Sequence, residues 1–363
     1  MGRHYKEPTR LNYFDIRTSR EKERLPVGID EMSALQRRLS TRRLPLMVVL
    51  NITNACNLSC VHCPQSFLQA ADDFKVRHMD WQCFEKIVHE ISDNNEPVLL
   101  RFTGDGEPTM HPRLFDMLDF AKEHSAATIN LTTNATKLTR KRCDAILSQG
   151  IDVIDISIDA LTKPVYEQVR KGGDFDQLLA NISYLLSQRE ALRAGTKVMV
   201  SFVKHDTNKE EADSFVNFWK PQVNEVMVRS LHSAVGLVKS EESKRLSNAE
   251  KLERYACPHL WKRLTIDFNH DVKFCAHEWS GNKDVILGNI SSTSLASIWR
   301  GENLQMIRDR HVSGDHQDGF ICTACSDWAA SRWDWGYELL IDRVVHGEAK
   351  LMPEFADDWS AYS

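Results

Sequence analysis

No apolar run in this 363-residue chain approaches the roughly 20 residues of a membrane span. The N-terminus, Met1-Gly2-Arg3-His4-Tyr5-Lys6, has no apolar signal core behind it. Lys6 stands where a myristoylation signal needs Ser or Thr. No membrane association is expected, and the expected compartment is the cytoplasm. There is no internal repeat and no low-complexity segment. Positive charge is also short: 46 Lys and Arg face 51 Asp and Glu, a net charge of −5, which argues against a general nucleic-acid binder. Residues 1–44 are the local exception, with eleven Lys or Arg against six Asp or Glu, and read as a solvated face. Apolar residues at 42% and charged residues at 27% are ordinary globular proportions. The length suits a barrel-sized domain plus a smaller one.

What the chain does not lack is cysteine. Nine cysteines in a chain expected in the cytoplasm favour metal binding over disulfides. Three fall within Cys56-Asn57-Leu58-Ser59-Cys60-Val61-His62-Cys63-Pro64, a C-x3-C-x2-C pattern directly after the apolar run 46–52. Thiolates gathered so closely are soft ligands for one metal centre. Structural zinc takes four protein ligands, whereas a [4Fe–4S] cube held by three cysteines leaves one iron open. A zinc knuckle completed by His62 or a distant cysteine is the alternative.

The spacing of Cys56, Cys60 and Cys63 resembles the signature of the radical S-adenosylmethionine (SAM) enzymes. The resemblance implies that the open iron chelates the amino and carboxylate groups of SAM. Reduction then yields methionine and a 5′-deoxyadenosyl radical that abstracts a substrate hydrogen. His62 stands where the family has an aromatic residue beside the adenine. A flavodoxin- or ferredoxin-type electron donor is the implied redox partner.

From Leu46 onward, strand-like and helix-like segments alternate in βαβ order. Strands are expected at 47–52, 98–102, 128–132, 153–158, 197–203 and 225–229, with amphipathic helices between them. Those helices are expected at 80–91, from Pro112, from near Thr139, at 175–192 and at 209–219, and another at 30–39. Six such units imply a parallel sheet with right-handed crossovers and ligands at the C-terminal strand ends. The fold class expected is α/β: a partial (β/α)6 TIM-type barrel with a small C-terminal α+β iron–sulfur domain of the twitch or SPASM kind. The expected boundaries are an N-terminal extension 1–44, the barrel 45–235, a linker 236–256, the auxiliary domain 257–336 and a C-terminal tail 337–363.

Each strand end offers a possible SAM contact. After the second strand comes Thr103-Gly104-Asp105-Gly106-Glu107-Pro108, which resembles the family's Gly-Gly-Glu-Pro motif for the SAM amino group, with Asp105 in place of the first glycine. The third strand runs into Thr132-Thr133-Asn134-Ala135, similar to the family's Thr-Asn segment at the methionyl and ribose parts. On the fourth, Ile154, Ile156 and Ile158 alternate with Asp155, Ser157 and Asp159. Buried parallel strands are normally apolar on both faces, so this polar stripe must face something polar inside the barrel. Ser157 and Asp159 match the family's serine-x-aspartate pattern at the SAM carboxylate and ribose. Ser201 and His205 lie near the same mouth.

A second group comprises Cys257, Cys275, Cys322 and Cys325. Four cysteines close a site completely, which suits zinc or iron–sulfur. Cys257-Pro258, Val272-Lys273-Phe274-Cys275, Gly288-Asn289-Ile290, Ile298-Trp299 and Cys322-x-x-Cys325 together resemble the auxiliary-cluster domain of SPASM and twitch radical SAM proteins. The shorter twitch form, with one four-cysteine [4Fe–4S] cluster, is the better match, since no cysteine follows Cys325. Cys83 and Cys143 sit on helices and read as buried structural thiols.

The nearest resemblance is to twitch-type radical SAM dehydrogenases. It implies oxidation of a secondary alcohol of a sugar or aminocyclitol, with the auxiliary cluster accepting the remaining electron. Arg229, His232, His205 and Glu278 are the candidate bases or orienting groups. The alternatives are a SPASM-type enzyme acting on a peptide (epimerisation, thioether formation or side-chain oxidation) and a non-catalytic zinc protein.

Overall fold

The computed structural model describes residues 29–363 apart from 233, 235–237, 239–253, 280, 317–319, 324, 326, 332, 334–335, 348–350 and 352–363. Most of the N-terminal extension, the linker and the C-terminal tail expected from sequence thus lies outside the described residues. The first helix, α1 (Ile29–Thr41), leads into strand β1 (Met47–Leu50). A two-residue strand β2 (Ser59–Cys60) and short helix α2 (Pro64–Leu68) follow, then α3 (Trp81–Ser92), β3 (Leu99–Phe102), α4 (Leu114–His124), β4 (Thr128–Thr133), α5 (Arg140–Ser148) and β5 (Val153–Ser157). Next come α6 (Lys163–Val169), β6 (Arg170–Lys171), α7 (Phe175–Ala191), β7 (Lys197–Lys204), α8 (Ala212–Trp219) and β8 (Glu225–Ser230). The six wall strands coincide with the six read from hydrophobic alternation. The helix expected from Pro112 starts two residues later, at Leu114.

The sheet is wider than six strands. Strand β9 (Arg263–Ile266) pairs in parallel with β1, Met47 opposite Arg263. The antiparallel strands β10 (Asp271–Lys273) and β11 (Ile286–Asn289) extend it, giving the order β11-β10-β9-β1-β3-β4-β5-β7-β8. The C-terminal unit therefore continues the barrel wall instead of standing apart from it.

Alternation gives the wall two faces. Val48, Leu50, Leu100, Ile154, Ile156, Val200 and their neighbours pack outward against the helices. Met47, Val49, Leu99, Val153, Met199 and Met227 point inward, where Tyr337, Leu340 and Ile341 of the helix Tyr337–His346 cover them. That helix fills the lower lumen. Above the apolar layer, Tyr337 Oη lies 2.9 Å from Asp155 Oδ2, and the Arg101 guanidinium sits 3.5 Å from the centre of the Tyr337 ring. Asp155, first residue of the polar stripe, thus serves an internal network, and only the residues after it reach the mouth.

Candidate active site

The cysteine triad is held by the loop between β1 and α2. Thr53 Oγ1 accepts the Ala55 N–H at 3.0 Å, and Gln65 Nε2 donates to the Asn54 carbonyl at 2.5 Å. The segment 104–107 lies against it: Glu107 N donates to Ala55 O at 2.8 Å. Two glycines are required there. A Cβ on Gly106 would lie 2.5 Å from Ala55 O, and one on Gly104 (φ 131°) would overlap the Asn51 side chain. On the other side, β6 pairs with β2, setting Arg170 opposite Cys60.

The three thiols are free and lie in one another's electrostatic field. Burial pushes Cys56 up to about 11 and Cys63 up to about 12, and raises Cys60. A bound metal reverses that preference by binding the thiolate. Arg170 Nη1 donates to Cys60 Sγ at 3.9 Å, and its Nη2 donates to Asp159 Oδ2 at 2.5 Å. Burial alone would raise the Asp159 carboxyl, but the Arg170 guanidinium and His62 hold it below the usual carboxylate range. Asp159 Oδ1 also accepts the Val203 N–H at 2.7 Å. Asp159 is fully buried at φ 62° and spends both oxygens within the protein, so it organises the mouth in this structure.

His62 lies 3.3 Å from Asp159 through Nε2 and packs on His205, ring centres 5.2 Å apart. Burial pushes His62 down to about 4 and lowers His205. His62 Nδ1 and His205 Nε2 are buried and have no hydrogen-bond partner in this structure.

Glu107 has the same inward character as Asp159. Its carboxylate accepts from Thr109 N, Thr109 Oγ1, Thr133 Oγ1 and Asn134 N at 2.6–3.0 Å. Asn134 Nδ2 in turn donates to Asn57 Oδ1 within the cysteine loop at 3.1 Å. Glu107, Thr133 and Asn134 therefore link two strand ends to the triad, leaving backbone as the ligand-facing surface. Ser157 and Ser201 face each other across β5 and β7, Oγ to Oγ 3.4 Å.

Four cysteines form the second group. Cys257, Cys275, Cys322 and Cys325 are all free and in one another's field. Burial pushes Cys257, Cys275 and Cys325 up to about 12 and raises Cys322 further. Cys83 and Cys143 are buried on α3 and α5, in neither group.

Between the two groups, Arg229 stands at the lumen end of β8. Its charge is felt at His62 on one side and at His232 on the other. Burial pushes His232 down to about 3, and its ring stacks on His277, centres 4.2 Å apart. Glu278 lies apart from these, in a polar group with Asp105, Asp267 and Lys273. Burial pushes the Asp105 carboxyl up to about 6, opposed by Lys273. The structure thus groups His62 and His205 at the triad and His232 with His277, with Arg229 between, while Glu278 sits with Asp105. Arg170, Arg263, His259, His277 and Asp327 were not singled out from sequence. The last three could have been, because each follows a tetrad cysteine by two positions.

Residues 50–216 match the family described as the radical SAM superfamily, and residues 257–326 match SPASM, the iron–sulfur cluster-binding domain. The chain is a radical SAM protein with a C-terminal SPASM domain. It is 22% identical over 298 residues to an uncharacterised protein of Treponema pallidum, 79% of each chain. It is 36% identical over 112 residues to the tungsten-containing aldehyde ferredoxin oxidoreductase cofactor-modifying protein of Pyrococcus furiosus, 31% of this chain and 30% of that one. To the GTP 3′,8-cyclase of Alkaliphilus metalliredigens it is 32% identical over 174 residues, 46% and 50% of the two chains. The chain thus spans half or less of these two named relatives. Among solved structures, Streptococcus suis SuiB bound to its precursor peptide SuiA superposes with a TM-score of 0.60 at 16% identity, covering 86% of this chain and 76% of that one. The anSMEcpe structure with bound AdoMet gives 0.56 at 14%, covering 88% and 93%. These two likenesses concern the fold.

Radical SAM and SPASM domains imply a SAM-binding [4Fe–4S] cluster and an auxiliary iron–sulfur cluster. The residues present fit both groups: three free thiols beside orphaned His62 Nδ1 and His205 Nε2, and four free thiols gathered by the C-terminal unit. The zinc-only alternative is set aside. Among the described residues, no helix is long and apolar enough to cross a membrane.

Proposed function

We propose that this radical SAM enzyme removes two hydrogens from a secondary alcohol of a small polar molecule, a sugar or aminocyclitol, giving the ketone. Cys56, Cys60 and Cys63 would hold the SAM-binding cluster, and Cys257, Cys275, Cys322 and Cys325 the auxiliary one. When bound, SAM and the first cluster supply a hydrogen-abstracting radical, and the auxiliary cluster supplies a one-electron acceptor. The observation that carries this reading is the tetrad. Four cysteines within one another's field use every ligand position and leave none for substrate, which suits electron transfer.

The chain's own residues then have to place and deprotonate the alcohol. Arg229, between His62 and His232, orients a hydroxyl or carboxylate. His232 Nδ1 accepts the Ala234 N–H at 3.0 Å, so the neutral ring carries its proton on Nε2 and donates there. Asp105, pushed up to about 6, is suited to take the hydroxyl proton near neutral pH, with Glu278 and Lys273 beside it. His62, Gly104, Gly106, Glu107, Thr133, Asn134, Ser157, Asp159 and Ser201 shape the SAM pocket, and His205 packs on His62.

Anaerobic reconstitution followed by a substrate screen tests this. About eight irons per chain, 5′-deoxyadenosine on reduction, and a product lighter by two hydrogens without solvent hydrogen are expected. Cys56→Ala should abolish SAM cleavage. A product that is an isomer of its substrate, carrying solvent hydrogen, would sink alcohol oxidation in favour of epimerisation. The screen must include peptides, since side-chain oxidation of a peptide gives the same mass change.

A further inference from the structure

Three of the four tetrad cysteines share a pattern two residues on. Cys257 is followed by His259, Cys275 by His277 and Cys325 by Asp327. In each case the backbone N–H of that residue is near enough to the sulfur to favour its thiolate. The side chains of the same three residues meet. His277 Nδ1 donates to Asp327 Oδ2 at 2.9 Å. Arg263, from β9, places Nη2 at 2.8 Å from His259 Nδ1 and 3.5 Å from His277 Nε2. His259 Nε2 lies 3.2 Å from Ser331 Oγ, which donates to the Asp327 carbonyl at 3.1 Å. The circuit closes: Asp327, His277, Arg263, His259, Ser331 and back to Asp327. A single set of neutral tautomers satisfies every link. His277 then donates from Nδ1 and accepts at Nε2, while His259 accepts at Nδ1 and donates from Nε2.

One competing use of these side chains is a metal site on His232, His277 and Asp327, whose ligand atoms lie within 4.8 Å of one another. The geometry opposes it. The two imidazoles are stacked with an interplanar angle of 6°, so their in-plane lone pairs run parallel and do not converge on one ion. His232 Nδ1 is also occupied by the Ala234 N–H.

We propose that this hydrogen-bonded ring sets the reduction potential of the auxiliary cluster by pinning three backbone N–H groups onto three of its four sulfurs. The inference rests on the assignment of Cys257, Cys275, Cys322 and Cys325 to that cluster. Reduction adds one negative charge spread over iron and sulfur. An N–H aimed at a ligand sulfur stabilises the reduced state more than the oxidised one, so holding three of them in place raises the potential. Cys322 is followed two residues on by Ala324, which has no polar side chain to join the ring. His277, His259 and Ser331 are therefore positioning residues acting through the backbone.

The test is a redox titration of the reconstituted full-length protein, followed by electron paramagnetic resonance, in wild type, His277→Phe and Ser331→Ala. Both substitutions break the ring and neither introduces a charge. The auxiliary midpoint is expected to move to more negative potential in both variants, while the midpoint of the SAM-binding cluster stays put. An unchanged auxiliary midpoint with iron content retained overturns the inference. Loss of the auxiliary cluster from both variants overturns it equally, since the ring would then serve assembly alone. Cys275→Ala separates this from failure of the ligand assignment: a variant that keeps all its iron refutes the assignment, whatever the two ring variants do.

Discussion

Arg170 ties two parts of the mouth together. Its guanidinium joins the Asp159 carboxylate to the Cys60 sulfur in a fully buried setting. Arg170→Met leaves buried Asp159 without its guanidinium partner, and breaking a buried pair in this way costs about 3 kcal/mol. Urea denaturation should report that loss, and adding Asp159→Asn should recover part of it; no recovery would mean that the two charges are not coupled. Asp105 makes a prediction with the opposite sign. Its carboxyl, about 6 when folded, stands above its ordinary 3.8, so its contribution to stability is fully present below the ordinary value and is lost as pH rises through about 6. Asp105→Asn removes that dependence. The variant should gain on wild type by on the order of 2 kcal/mol between about pH 4.5 and 7, read from denaturation midpoints at each pH. A difference that does not change across this window would place Asp105 in water. The cysteines were readable because a thiolate triad has few other uses. Arg170 was not, because the two residues of β6 carry no periodicity and the pairing with β2 brings them to Cys60 from far along the chain.

At the scale of elements, hydrophobic alternation located all six barrel strands, since each is buried on one face by helices and on the other by the lumen. Strand β9 escaped notice: Arg263-Leu264-Thr265-Ile266 is four residues long and its inward face is polar. The loop 103–108 was recognised, but its chemistry was only partly legible. Sequence places Glu107 in a motif resembling the SAM amino-group segment; in the structure Thr109, Thr133 and Asn134 take its oxygens. What the loop requires instead is the absence of a side chain at Gly106. Gly106→Ala pushes the 53–55 backbone away just before Cys56. Iron content after reconstitution should fall toward about four per chain, with the auxiliary cluster retained. Full iron loading in this variant would show that the close approach has no part in holding the triad.

Among the described residues, a nine-stranded sheet surrounds a plugged lumen, and β2 and β6 pair apart from it. The helix Tyr337–His346 was expected only as tail, because its apolar face has no meaning until the lumen that receives it is known. Ile341 is completely buried against Met47, Met199 and the other inward residues. Ile341→Ala is expected to cost roughly 2–5 kcal/mol, with loss of cooperativity in thermal unfolding. A change under about 1 kcal/mol would show that the helix merely rests on the barrel. The pairing of β1 with β9 also bears on how the chain is made. Strand β1 is made long before β9, its neighbour on one side, and about 200 residues separate the two. The lumen cover arrives later still. Until β9 and the helix Tyr337–His346 have been made, one edge of β1 and the inward row of methionines, valines and leucine stay open to water, so the nascent barrel is a natural client for chaperones and cannot finish folding strand by strand as it emerges.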